Sequence, residues 1–265
     1  MRTRMDKLSK TGGIFFAVGL MALGTEHFIF QDFITGRAPK WPEPIPGQQA
    51  WAYVSGVLFI IISVMILIQR NARLASVIFA ALVFMWALLR HIPVVAADTF
   101  LSGAWTSAGK ALVFIGGALA VAATFPKESS LKNAQILKFI NLEREFIVTG
   151  RICLGFFLII TGIQHFLFVE FVASLIPRWF PGDAVFWTYF AGVMLIAGGV
   201  GLFIPGTARL AAFLSGVMIF SWFWIVHLPR FMVSVSDKIA LFEALAFSGV
   251  AFVLMRFPDS KKSAP

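Results

Sequence analysis

The stretch from Trp51 to Pro93 recurs without a gap 136 residues later, as Trp187 to Pro229. Trp51 falls on Trp187, Tyr53 on Tyr189 and Gly56 on Gly192. The block Ala72-Arg73-Leu74-Ala75 falls on Ala208-Arg209-Leu210-Ala211. Trp86 meets Trp222, His91 meets His227 and Pro93 meets Pro229. A shift of 138 extends the match upstream and lays Gly24-Thr25-Glu26-His27 on Gly162-Ile163-Gln164-His165. Both tyrosines and all four histidines of the chain therefore occupy repeat-equivalent positions.

The unit that is repeated belongs in a membrane. The chain is 59% hydrophobic and 13% charged, against roughly 45–50% and about 25% in soluble domains. Its apolar runs approach the ~20 residues that cross a bilayer as a helix. The expected fold is all-α: a polytopic membrane protein of eight transmembrane helices, arranged as two four-helix units. The spans fall near 12–34, 51–69, 72–92, 108–125, 147–171, 186–204, 207–228 and 238–256. Residues 1–125 form the first unit, 126–146 a linker, 147–257 the second unit and 258–265 a polar tail. Gln69-Arg70-Asn71 and Pro205-Gly206-Thr207 reverse the chain between neighbouring helices. In the linker, Ile136, Leu137, Phe139, Ile140 and Leu142 are mixed with Lys132, Lys138 and Arg144. That pattern fits an interfacial amphipathic helix, and a polar lead-in to the fifth span fits it equally. The first apolar stretch, from Gly12, lacks a small-residue cleavage site and is expected to stay as a span. The one cysteine, Cys153, excludes an intrachain disulfide and reads as a small core residue.

Charge sets the orientation. With the N-terminus inside, cytoplasmic segments carry 15 lysines and arginines and the outer segments 7, a positive-inside bias. Both termini are then cytoplasmic. An even number of spans per half gives the two halves one orientation, a parallel repeat about an axis along the membrane normal. The net charge of +9 is accounted for by this sidedness, so no nucleic-acid partner is expected; the partner is the lipid bilayer.

This topology gathers the histidines toward the outer leaflet. His27 and His165 lie about two turns before the end of the first helix of each half, and His91 and His227 close the third. A polar side chain at such a depth is costly without partners. One reading pairs His27 with His91 and His165 with His227, as ligands of a haem iron or another transition metal. A second has them hydrogen-bond an amphipathic ligand such as a quinone headgroup, joined by Tyr53 and Tyr189 and flanked by Arg90 and Arg230. A third has each histidine tether its helix end to a backbone carbonyl. Glu26 precedes His27 where the second half has Gln164. Glu243 lies inside the last span, opposite Lys110 in the alignment of the halves, and either exchanges a proton or pairs with Arg230 or Lys238. No HExxH, CxxC or carboxylate cluster supports a metal. No catalytic constellation is present, so the residues leave open whether any reaction is catalysed. Gly116, Gly117, Gly198, Gly199 and Gly201 read as packing positions.

The chain resembles the DoxX and DoxX-like family of small four-helix membrane proteins. The resemblance rests on Gly162-Ile163-Gln164-His165-Phe166, on Ile176-Pro177-Arg178-Trp179-Phe180-Pro181, on the glycine-rich sixth span and on Ala208-Arg209-Leu210-Ala211. Its second half fits better, and the whole resembles a tandem fusion of two such units. The resemblance implies a bacterial inner-membrane location and a link to quinone or redox processes, some members being subunits associated with thiosulfate:quinone oxidoreduction. The leading expectation is an accessory subunit that binds a quinone or similar redox ligand beside a redox or other membrane-protein partner. The alternatives are a non-enzymatic scaffold, cargo or lipid-binding protein, and a bis-histidine haem or metal protein.

Overall fold

The structure, a computed structural model, describes residues 2–34, 41, 45–98, 100–127, 129 and 133–256. The polar tail 258–265 lies outside the described residues. Every regular element among those described is helical. In order they are α1 (Arg2–Phe30), α2 (Gln48–Leu67), α3 (Ala72–Trp86), a π-helical turn (Ala87–His91), α4 (Ile92–Ala97) and α5 (Gly103–Ala122). Then follow α6 (Ala134–Ile140), α7 (Glu143–Leu167), α8 (Val169–Leu175), α9 (Ala184–Phe203) and α10 (Ala208–Trp222). A second π-helical turn (Phe223–His227), α11 (Leu228–Arg230) and α12 (Val235–Leu254) complete the chain.

Local chemistry sets the helix ends. Ser102, Asn133, Asp183 and Ser234 each accept a hydrogen bond from an amide of the first turn of α5, α6, α9 and α12, satisfying donors that have no partner within the helix. The tight reversal between α2 and α3 uses left-handed backbone at Gln69 and Asn71, with φ of 57° and 50°. Each Ala-Arg-Leu-Ala block has a structural role at the far end of another helix. The Arg73 guanidinium donates to the Phe125 carbonyl at 2.9 Å, just past α5. Arg209 donates to the Met255 carbonyl at 3.2 Å, just past α12. Both place a cation where a helix presents unpaired carbonyls.

Seven helices are long and apolar enough to cross a membrane among the described residues, and the chain is a helical multi-pass membrane protein. The remaining long helix, α12, carries Asp237, Lys238 and Glu243 and is mostly buried inside the protein. Packing neighbours run α1, α2, α3, α5, α7, α9, α10, α12 and back to α1, and α12 also touches α5 and α7. Thus α1 lies on α12 and α7 lies on α5: the first helix of each half packs on the last helix of the other. Where α5 meets α12, residues 133 apart touch each other. Lys110 Nζ is 2.6 Å from Glu243 Oε2, and the Phe114 and Phe247 rings meet edge-on at 5.1 Å.

Glycine lets two helix pairs approach closely. A Cβ on Gly56 would fall 2.8 Å from the Gly24 carbonyl oxygen, and one on Gly162 2.9 Å from that of Gly192. These pairs clamp α1 to α2 and α7 to α9 beneath His27 and His165 respectively.

Several helix boundaries depart from the sequence expectation. The fifth span, expected to run to 171, ends at Leu167; Phe168 breaks it and α8 begins. The third helix of each half, expected to stop before Pro93 and Pro229, instead widens into a π turn and continues. The amide of Ile92 reaches back five residues to the Ala87 carbonyl, and that of Leu228 to the Phe223 carbonyl. A proline has no amide to give its i−4 carbonyl, and its ring crowds that oxygen; widening the preceding turn accommodates both. Sites of this kind are often functional.

Candidate functional site

A cavity of about 660 Å³ opens in the second half, walled by α7, α8, α9, α10 with its π turn, and the start of α5. The last turns of α7 supply Thr161, Gln164 and His165, and Phe168 follows at the break after the helix. The i, i+3, i+4 spacing of the first three places them on one helix face. α9 adds Thr188, α10 adds Ser221 and Trp222, and the π turn adds His227. The remaining wall is dominated by Phe, Leu, Ile and Val side chains. A side chamber of about 160 Å³ shares Thr106, Thr161, His165, Trp222 and His227 with the cavity and leads to Lys110 and Glu243. The two histidines therefore stand between an apolar cavity and a buried ion pair.

The polar groups at this end are held by specific bonds. His165 Nδ1 lies 2.7 Å from the Thr161 carbonyl oxygen. A carbonyl only accepts, so Nδ1 carries the proton, and a neutral ring offers Nε2 as an acceptor. The imidazole lies over Trp222 at 6.4 Å, nearly parallel to it. Gln164 fastens α7 to the first turn of α5. Its Nε2 donates to the carbonyls of Leu101 at 2.6 Å and Ser102 at 2.9 Å, and its Oε1 accepts from Thr106 at 2.7 Å. The cavity thus needs residues of both halves of the chain.

In the first half the corresponding space is filled. His27 is buried, its Nδ1 donating to the Leu23 carbonyl at 2.8 Å, with the Phe33 and Phe59 rings against it. Phe33, Trp41 and Trp86 form one aromatic cluster, and the Arg90 guanidinium lies against both indoles. His91 is buried, and neither His27 nor His91 lines either cavity. Glu26 is also buried.

Several sequence expectations are corrected here. Tyr189 does not join the histidines: it is 42% exposed and stacks on Phe166. One residue along a helix turns the side chain by about 100°, and it is the flanking Thr188 and Phe190 that line the cavity. Tyr53 likewise stacks on Phe28 and accepts from Gln49 at 3.1 Å. Glu243 pairs with Lys110, not with Arg230 or Lys238. Arg230 instead binds Asp237 at 2.9 Å, in the first turn of α12, and lines neither cavity. Arg90 belongs to the aromatic cluster and not to a ligand site shared with His91. Among the described residues no group of three or more His, Cys, Asp or Glu is placed to hold a metal ion.

Residues that carry the site without having been singled out for it are Thr106, Thr188, Ser221 and Trp222. Their polar or aromatic character is too common in such helices to be a signal. Lys110 had one: a repeat position that is basic in one copy and acidic in the other is a candidate contact.

The fold and cavity define a helical multi-pass membrane protein with an open, mainly apolar cavity. Residues 154–247 match the family model described as a domain of unknown function (DUF8561). This is a similarity over part of the chain; it includes His165, His227 and Glu243 and leaves out Thr106 and Lys110. No curated protein and no solved structure matches the chain.

Proposed function

We propose that the chain is a tandem pair of four-helix, DoxX-like units with eight spans, α12 being the eighth. Both termini lie on the cytoplasmic side of a bacterial inner membrane. The second unit binds a quinone or similar lipophilic redox ligand near the outer leaflet, as an accessory subunit of a membrane redox system. A residue touches its own repeat counterpart only near a two-fold axis, so the Lys110–Glu243 and Phe114–Phe247 contacts support the parallel-repeat arrangement.

The observation that carries the ligand reading is the cavity: about 660 Å³, within the roughly 300–1,000 Å³ of ligand sites, with apolar walls and a polar end at His165 and His227. A tail occupies the apolar part and a headgroup reaches the histidines. Because His165 Nδ1 is committed to Thr161, a neutral His165 accepts from a ligand hydroxyl, as a quinol supplies. The experiment is binding of decylubiquinol and decylubiquinone, followed by quenching of tryptophan emission. His165→Ala weakens the quinol roughly 3- to 10-fold, the size of one net hydrogen bond of about 0.5–1.5 kcal/mol. Unchanged affinity for both forms in the His165→Ala/His227→Ala double variant overturns the reading. On this reading protein purified after haem-replete expression shows no Soret band; a stoichiometric Soret band favours the haem alternative.

A further inference from the structure

The two halves carry the same aromatic residues around the same place and arrange them differently. In the first half Phe33 is 8% exposed, and its ring lies 5.2 Å from Trp41 and 4.8 Å from Trp86. The Arg90 guanidinium carbon is 5.1 Å from the Trp41 ring and 5.4 Å from the Trp86 ring. The second-half counterparts of these aromatics are Phe171, Trp179 and Trp222, and Val226 stands in the place of Arg90. Phe171 is 66% exposed and Trp179 63% exposed. The space beside Trp222 and Val226 is the cavity. A planar cation in one copy and an isopropyl group in the other thus mark a filled site and an open one.

An indole face is electron-rich. It attracts a cation, and by the same quadrupole a flat ring depleted of electrons by carbonyl substituents. We infer that the second-half cavity holds the planar, electron-poor headgroup of an amphiphile against Trp222, which lines it, and that Trp179, which stands outside the lining, closes on the headgroup's other side, where in the first half the Arg90 side chain lies against Trp86 and Trp41. The inference rests on reading that cavity as a ligand site, and it adds the chemistry of the headgroup and the residues that grip it. The first half then displays the closed arrangement. Phe171 and Trp179 fold inward over a bound headgroup as Phe33 and Trp41 do over Arg90. A quinone ring and an alkylguanidinium share this chemistry, one through electron withdrawal and the other through charge.

The test uses the full chain in detergent, with decylubiquinone, decylguanidinium and decanol as probes. Trp222→Leu weakens decylubiquinone and decylguanidinium about 3- to 30-fold, the range of one cation–π or stacking contact, and leaves decanol unchanged. Val226→Arg installs the first-half residue. In hydroxyl-radical footprinting without any ligand, Trp179 and Phe171 then become protected toward the level of Trp41 and Phe33, and both flat-headed probes lose binding. If Val226→Arg does not fold, the Trp222→Leu measurement decides alone. Decylguanidinium binding through Trp222 without decylubiquinone binding overturns the quinone reading and supports this inference. Decylubiquinone binding that depends on His165 but not on Trp222 overturns this inference and leaves the quinone reading in place. Unaltered footprints in folded Val226→Arg also overturn it.

Discussion

Lys110 and Glu243 meet at 2.6 Å with side chains only 14% and 5% exposed, so removing one charge strands the other inside the protein. A buried charge whose partner is deleted costs about 3–5 kcal/mol, whereas replacing both partners with apolar groups of similar volume is often neutral or stabilising. Lys110→Met and Glu243→Leu are each expected to destabilise the protein by roughly 3 kcal/mol or more, and the double variant to recover most of that loss. The swap Lys110→Glu/Glu243→Lys is the sharper perturbation. The two positions are repeat counterparts that face one another, so exchanging the residues re-forms the pair. Its stability is expected within about 1 kcal/mol of the parent, the usual scale for substitutions that preserve an interaction. Reversible unfolding in mixed micelles of increasing SDS fraction, without added ligand, gives all four values. Single-charge variants that each cost less than about 1 kcal/mol, as an exposed ion pair would, refute the reasoning. So does a swap no better than either single variant.

Gly192→Ala brings a methyl within 2.8 Å of the Phe166 ring and 3.0 Å of the His165 Cβ. It is expected to cost about 1–3 kcal/mol in the same unfolding assay, and no loss refutes the close helix approach. Gly13 has nothing within 4 Å of its Cβ position, so Gly13→Ala is expected to gain about 0.5–1 kcal/mol of helix stability. Asp98, between α4 and α5, accepts from the Ser102 hydroxyl and from the amides of Phe100 and Ser102, at 3.0 and 3.1 Å for the amides. These bonds, the Ser102 hydroxyl foremost, hold its carboxyl below the usual carboxylate range. With the folded value below the unfolded one, the bonds contribute at neutral pH, and that contribution is lost as pH falls through the lowered value. Amide protection at Phe100 and Ser102 is therefore expected to drop once the pH falls below the usual carboxylate range, and protection left unchanged in Asp98→Ala at neutral pH counts against these bonds.

Much of this molecule follows from periodicity and composition. The apolar runs dictate helices that cross a membrane. The duplicated Trp51–Pro93 stretch makes α2 and α3 the sequence counterparts of α9 and α10. The paired histidines were legible for the same reason. Whether a pair opens onto a cavity was not, because that depends on what packs beside it. His27 and His165 are repeat counterparts in sequence with different surroundings in space, Arg90 packing into the one copy where Val226 leaves the other open. Tyr189 matched its counterpart in sequence and still faces away, since a helix face is assigned only when its neighbours are in place. The Lys110–Glu243 contact and the composite wall of the cavity belong to the tertiary structure alone. The first joins residues 133 positions apart and the second residues 58 to 63 apart, and only the packing of α5 on α12 and α7 brings them within reach.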